Sequence, residues 1–513
     1  MINILKPFER FKKDKLETDL DMITIELNIK ENQYINLEEY LLNRKLNSIE
    51  ILTIIKRIAN IFEYIESKGC IVGSINLSDF WIKDSNLEKI TYKINRRLLK
   101  PNDSLLNYEK GNLCSPEILN NDSKNIDTNT DVFVLGKLAT TLIFNNRINL
   151  EGYLQERYIS YNLNLFDTNL PIEIHSFLGK STSMLKESRF DSIKSCNENL
   201  SNIIKNNEKR SNDKEKKFRD LEYSAKTDVG NGKLKIHKSK GRKIEFANED
   251  SYLLLNHKNK VFFIVADGVT NSKYGTGYEA SNIVKNMSEY LWEQSKDAIN
   301  TQADVEKFYK ALVNLCNESI FRSLSKDIDS NRLLNSNGLL NEIMATTFSS
   351  GIIINDNLYY ISLGDSPIYI LSTENNLTLL NKEDNIGNEI LKESMSWNRY
   401  QSVSSKSTLT KYIGKIEYDN GVIKASNLEI SINKYKLLDK DILIACSDGL
   451  TDYVSGVGRI DDIWMADEAI KTIFTNNKGK SLDEINDVLI QSANKNGGMD
   501  NITSILIQFY FDK

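Results

Sequence analysis

Histidine is almost missing from this 513-residue chain: only His175, His237 and His257 occur, and none has a partner at the spacing of an HExxH pair. That argues against Ser-His or Cys-His hydrolysis and against histidine-ligated metals. Cysteine is also sparse. Cys70, Cys114, Cys196, Cys316 and Cys446 are odd in number, scattered and never form a CxxC, which speaks against a disulfide framework or a zinc site and fits reduced thiols. The chain has only 5 prolines and is rich in Asn, Ile and Lys. Apolar periodicity nevertheless runs almost throughout, so the bias is compositional and not a sign of disorder. No run reaches the roughly 18 apolar residues of a membrane span, and the opening MINILKPFERFKKDK has no apolar core leading to a cleavage site. The expectation is a cytoplasmic chain with no membrane partner. With 66 basic and 71 acidic residues the net charge is -5, which gives no electrostatic case for nucleic acid as a partner.

Hydrophobic residues make up 40% of the chain, enough for sizeable cores, and the length favours more than one domain. A charged stretch from Ser201 to about Leu221 has little apolar periodicity and reads as a linker or a solvated helix. The expected division is residues 1–203, a linker at 204–221, and a second domain at 222–513. The first part reads as mainly helical. Ile51, Ile54, Ile55, Ile58, Phe62 and Ile65 repeat at helical spacing, Asn47 with Glu50 suits a capping box, and Gly69 suits a stop. A second helix is expected over Asp131 to Phe144. The later part mixes types, an α+β pattern. Strands are expected at Tyr252–Leu255, Val261–Ala266, Thr346–Ile354, Leu358–Leu363, Ile368–Leu371, Asp441–Cys446 and Ile502–Phe509, with helices at Tyr278–Ser295 and Ala303–Leu324. Tight Asn and Asp turns such as INDN imply antiparallel hairpins.

Acidic residues fall at the ends of these strands. VFFIVADG closes on Asp267-Gly268 and DILIACSDG on Asp448-Gly449; Glu249-Asp250 stands before one strand and Asp500 before the last. A strand that delivers a carboxylate at its tip, followed by a glycine that lets backbone approach, suits a hard divalent cation held by oxygen. Each Asp-Gly alone is more often a hairpin turn, and Asp500-Asn501 alone an ordinary loop. The ordered set carries more weight than any member.

From about Asn248 to Phe509 the motifs NEDS, FFIVADGV, GTGYEAS, MATT, YYISLGDSPIYIL, LTKYIG, LLDKDILIACSDGLTDYV and GGMDNITSILI follow in order. This part resembles the metal-dependent PP2C-type protein phosphatases. The resemblance implies a sandwich of two mainly antiparallel sheets flanked by helices, with the active site at one end. It implies two Mg2+ or Mn2+ ions and a weaker third. Asp267 would bridge the metals, the carbonyl of Gly268 would contribute to one, and Asp448 and Asp500 would ligate the other. Asp250 and Glu249 would hold metal or its water, and Asp365 of GDS would serve the third ion with Asp448. Asp267, Asp448 and Asp500 are the expected catalytic set. The chemistry agrees: two hard ions about 3.5–4 Å apart activate water and clamp a phosphoryl group. Like charges would loosen the site without metal. One departure stands out. The family carries an arginine a few residues before the Glu-Asp pair to grip phosphate, and Glu245 occupies that spacing here. Arg242, close but displaced, is the candidate substitute; its alternative is a solvent-facing strand residue.

Residues from about Met22 to Leu200 resemble the C-terminal lobe of a Ser/Thr protein kinase, through INLEEYL, IFEYIESKGC, IVGSINLSDFWI, LCSPEIL, DTNTDVFVLGKLATTLIF and SRFDSI. SPE (Ser115 to Glu117) matches APE, Asp131 opens the large central helix, and Arg189 matches the late arginine that pairs with Glu117. The catalytic parts are degenerate: Val72-Gly73-Ser74 replaces HRD, Asp79 replaces the metal-binding Asn, and no DFG occurs near Thr91–Ile94. Kinase activity is therefore not expected; docking or regulation of the phosphatase is. Expected partners are a phosphoprotein substrate and a protein kinase. The rival expectation is a non-catalytic signalling scaffold with both halves degenerate, favoured by Glu245 and opposed by the intact carboxylates. Ser/Thr against Tyr preference stays open.

Overall fold

The computed structural model describes residues 34–42, 44, 46–83, 85–92, 97–144, 170–183, 186–212, 214–241, 243–270, 272, 274–324, 343–394, 399, 402–419, 422–456 and 463–511. Contacts divide the chain into two compact units, Met1–Lys209 with Met395–Asn398, and Arg210–Ser394 with Arg399–Lys513. The helix Ile193–Asn212 runs through the first half of the stretch read as a linker, and a strand starts at Phe218. Most of the charged residues on that helix face water, which is why the stretch looks structureless by composition.

The first unit is mainly helical. Helix Ser48–Glu66 starts at the capping box of Asn47 and Glu50 and is followed by Gly69 at φ 72°. Helix Thr128–Phe144 is apolar on nearly all sides because it is buried on nearly all sides. Its Asp131 accepts hydrogen bonds from the Val72 and Gly73 amides, both at 2.7 Å. The expected pair of Arg189 and Glu117 forms, at 2.8 Å, with both side chains buried. Ser74 is tied into the interior, 3.1 Å from the Tyr108 hydroxyl and accepting from the Gly111 amide. Residues 22–33 of the kinase-like stretch, and Ile94, lie outside the described residues.

The second unit holds two five-stranded antiparallel sheets. In chain order its elements are β1 (Phe218–Asp228), α1 (Asn231–Ser239), β2 (Asp250–His257), β3 (Lys260–Asp267), α2 (Gly277–Ser295) and α3 (Gln302–Leu324). Strands β4 (Phe348–Ile354), β5 (Asn357–Leu363), β6 (Ile368–Leu371), β7 (Leu377–Leu379), β8 (Asn433–Lys436) and β9 (Ile442–Cys446) follow. Helices α4 (Asp448–Tyr453) and α5 (Leu482–Lys495) precede β10 (Ile502–Phe511). One sheet runs β8-β5-β4-β3-β2, the other β7-β6-β9-β10-β1. They pack face to face through β3 and β2 against β9, β10 and β1.

Strand β3 shows why its sequence is an unbroken apolar run. One face meets the opposite sheet and the other meets helices, so alternation would bury polar groups. Helix α2 lies on β2 and β3, and its Trp292 stacks on Phe262 of β3 with ring centroids 4.9 Å apart. Helix α5 covers β1 and β10 on the far side. Capping boxes start both helices, Thr276 with Glu279 and Ser481 with Glu484. The INDN turn closes the β4–β5 hairpin with Asn355 at φ 57°. The mixed α+β content and antiparallel sheets match the expectation for this part of the chain.

Candidate active site

Sheet register brings distant acidic residues to one edge of the sandwich. In the first sheet, Asp250 opens β2 and pairs in register with Asp267, which closes β3. The next strands reach the same edge: the Thr347 amide donates to the Asp267 carbonyl, and Phe348 pairs with Leu363, two residues before Asp365. In the second sheet, Cys446 at the end of β9 pairs with Ser504 near the start of β10, so Asp448 and Asp500 emerge together. Backbone there is packed so closely that a Cβ on Gly449 would lie 1.9 Å from the Asn501 carbonyl oxygen.

These carboxylates feel one another. Burial, reinforced by Asp250, Asp448, Asp500 and Asp365, pushes Asp267 well above the usual carboxylate range. Burial raises Asp250 to about 7. Burial and Asp500 raise Asp448 to about 6. Burial followed by Asp448, Glu383 and Asp452 pushes Asp365 well up. Two residues that sequence reasoning passed over complete this side. Glu383 is raised to about 7 by burial and Asp448, and Asp452 to about 8 by burial, Asp448 and Glu383. Asp452 was findable, since it follows Asp448 by four residues on one helix face. Glu383 has no such local signal.

The cation of the site is Lys233, on α1. Its Nζ donates to Asp500 Oδ1 at 2.7 Å and to Asn501 Oδ1 at 2.7 Å, and stands 3.2 Å from Glu249 Oε2. Burial alone would lower its pKa, but Asp500, Glu249 and Asp267 reverse that and hold it above the ordinary lysine value. Counting a few residues back from the Glu-Asp pair missed it because the count stops short of α1. Glu245, the residue that counting reached, is exposed and pairs with Lys243 at 3.6 Å. Arg242 lies outside the described residues.

Asn501 organises the backbone around this point. Its Oδ1 accepts from the Glu249 amide at 2.8 Å as well as from Lys233, and its Nδ2 donates to the carbonyls of Val229 and Ala247, each at 2.9 Å. Glu249 also accepts from the Thr270 hydroxyl at 2.7 Å, and the Gly268 amide donates to the Glu249 carbonyl at 3.1 Å.

The donor set is entirely oxygen, which suits Mg2+ or Mn2+. Both Asp250 carboxylate oxygens and Asp448 Oδ1 are buried without a hydrogen-bond partner, a costly arrangement that a cation would relieve. Among the described residues no three acidic, histidine or cysteine side chains close onto one ion-sized point. The carboxylates ring the site, and Lys233 bridges Glu249 and Asp500, offsetting one of their two charges.

The family model for protein phosphatase 2C matches residues 241–483. The serine/threonine phosphatase stp of Listeria welshimeri is 26% identical over 271 residues, 52% of this chain and 92% of the relative. Protein phosphatase PhpP of Streptococcus pneumoniae is 25% identical over 297 residues, 56% of this chain and 97% of the relative. Among solved structures, the S. agalactiae serine/threonine phosphatase is 25% identical with a TM-score of 0.42, covering 57% of this chain and all of that one (100%). By the family model and these relatives, residues 241–483 match a PP2C-type phosphatase domain.

Proposed function

We propose that the chain is a metal-dependent phosphoprotein phosphatase that hydrolyses phosphoserine and phosphothreonine. The observation that carries this is the meeting of Asp250, Asp267, Asp448 and Asp500, from both sheets, at one sandwich edge with buried carboxylate oxygens left unpartnered. Asp250, Asp267, Asp448, Asp500 and the Gly268 carbonyl would hold two Mg2+ or Mn2+ ions, with Glu249 orienting water. Asp365, Asp448, Asp452 and Glu383 would hold a third. When bound, such ions activate a water for in-line attack on phosphorus and neutralise the phosphoryl oxygens.

The chain's own residues do the rest. Lys233 stays protonated across the neutral range and offers its ammonium to the phosphate oxygens, beside Arg242 as the sequence's own candidate for that task. Asn501 fixes the Glu249 backbone and the Lys233 ammonium relative to each other. The test is Mn2+-dependent hydrolysis of p-nitrophenyl phosphate by the full chain beside Asp267→Ala and Asp448→Ala. Both substitutions should abolish turnover; activity that survives both removes the mechanism.

For the N-terminal unit the reading is a degenerate kinase-like module that docks a partner, a kinase among the candidates, or regulates the phosphatase. The bonds from Asp131 to the Val72 and Gly73 amides and the Arg189–Glu117 pair support it. The five cysteines are free and buried, which supports a reducing, cytoplasmic setting. Among the described residues no helix is long and apolar enough to cross a membrane.

A further inference from the structure

Between β1 and β2 the chain makes an excursion of strongly one-sided charge. Residues 231–243, NGKLKIHKSKGRK, contain five lysines and one arginine and no acidic residue, in a chain of net charge -5. Lys233 is used by the site. Lys235, Lys238, Lys240 and Lys243 are exposed. Local self-repulsion of this kind costs stability and has no use in holding the fold together.

The excursion is built firmly against the active-site edge. Gly230 turns the chain at φ 83°, where a Cβ would stand 2.0 Å from the Asp500 carbonyl oxygen. The amides of Gly232 and Lys233 donate to the Gly498 carbonyl at 2.9 and 3.0 Å, and the Asn231 amide donates to Asn494 Oδ1 at 2.7 Å. At the other end, His237 Nε2 lies 2.8 Å from the Lys243 carbonyl oxygen. Two large apolar side chains, Ile236 and Ile244, stand 39% and 57% exposed among the lysines.

We propose that α1 and the turn after it form a docking surface for an acidic segment flanking the phosphorylated residue of the protein substrate. This rests on the phosphatase reading above. Lys233 marks where the phosphate sits. At about 1.5 Å per residue, Lys240 lies about 10 Å along the helix from it. That distance spans roughly three residues of extended peptide. The surface therefore reads aspartates and glutamates about two to four positions from the phosphorylated residue. Ionic contacts at this range raise encounter rate and selectivity and weaken with salt.

The test uses the full chain, wild type and the triple variant Lys235→Gln/Lys238→Gln/Lys240→Gln. Two phosphopeptides differ only in carrying three glutamates or three glutamines beside the phosphoserine. Binding is read by fluorescence anisotropy in chelator, and turnover of p-nitrophenyl phosphate is read separately with Mn2+. Wild type should bind the acidic peptide about tenfold more tightly, with the gap shrinking at high salt. The triple variant should close the gap to about twofold while p-nitrophenyl phosphate turnover stays within about twofold of wild type. Equal binding of both peptides by wild type, or a gap that persists in the triple variant, overturns the proposal. So does a short single-stranded DNA that binds as tightly as the acidic peptide. A wild-type gap without any p-nitrophenyl phosphate turnover would refute the phosphatase reading and leave the docking surface standing.

Discussion

Replacing Lys233 with methionine keeps the unbranched stem of the side chain, one atom shorter, and removes one charge from the centre of an acidic ring. The ammonium is 13% exposed, Glu249 likewise 13%, and Asp500 40%. Stripping the partner from a fully buried pair costs about 3–5 kcal/mol. Water reaches Asp500, so the loss here should be nearer to about 1–3 kcal/mol. A domain of this size then melts lower by about 2–4 °C for each kcal/mol lost. The catalytic effect is separate. A charge-assisted contact to phosphate contributes about 1.5–3 kcal/mol, so kcat/KM for p-nitrophenyl phosphate should fall about 10- to 150-fold. Lys233→Arg should recover most of this, because it restores charge and donors. Affinity for Mn2+, read by calorimetry, should hold or improve in Lys233→Met, since a competing cation is gone. A kcat/KM within about twofold of wild type would refute the assignment of Lys233 to phosphate.

Three more outcomes follow from the same geometry. Asp250, Asp448, Glu383 and Asp452 have folded pKa values raised to about 7, 6, 7 and 8, so the folded, metal-free chain holds more protons than the unfolded one from about pH 4 to pH 8. Its stability must fall as pH rises through that window. The Tm in chelator should drop between about pH 5.5 and pH 8, and Mn2+ should restore more at the higher pH; a flat profile contradicts this. Gly449→Ala drives a methyl to within 1.9 Å of the Asn501 carbonyl oxygen and should destroy turnover and lower the Tm, whereas Gly479→Ala, in open space but at φ 94°, should lower the Tm only slightly and leave turnover intact. Arg189→Met leaves buried Glu117 without its partner and takes the guanidinium off the Phe133 ring; it should cost about 3–5 kcal/mol, read as loss of the first unit's hydrogen-exchange protection with p-nitrophenyl phosphate turnover retained.

Much of the second unit was legible because burial on two faces leaves a plain signature. Val261–Ala266 read as a strand and forms Lys260–Asp267; the last strand, read as Ile502–Phe509, ends at Phe511. The acidic residues were legible for the same reason, as each stands where an apolar run stops. Strand β1 was not. FRDLEYSAKTD pairs only with β10 and is half exposed, so its charges resemble a linker. Lys233 was hidden by distance along the chain, since no local pattern ties it to Asp500, 267 positions away. Glu383 was hidden in the same way. In the first unit, Asn47 and Glu50 announced their helix because capping is local chemistry.

One side-chain amide holds both feet of the excursion that carries α1. Asn501 bonds the carbonyl of Val229 where the chain departs and that of Ala247 where it returns. Apart from Gly230, Gly232 and Lys233, which are built into the site, the residues between those anchors can be exchanged without shifting the strand tips on either side. Under the docking proposal, exchange of the exposed lysines there would change which sequences are preferred and leave the carboxylate edge in place, a division of labour between recognition and reaction that Asn501 secures together with the bonds to Gly498 and Asn494.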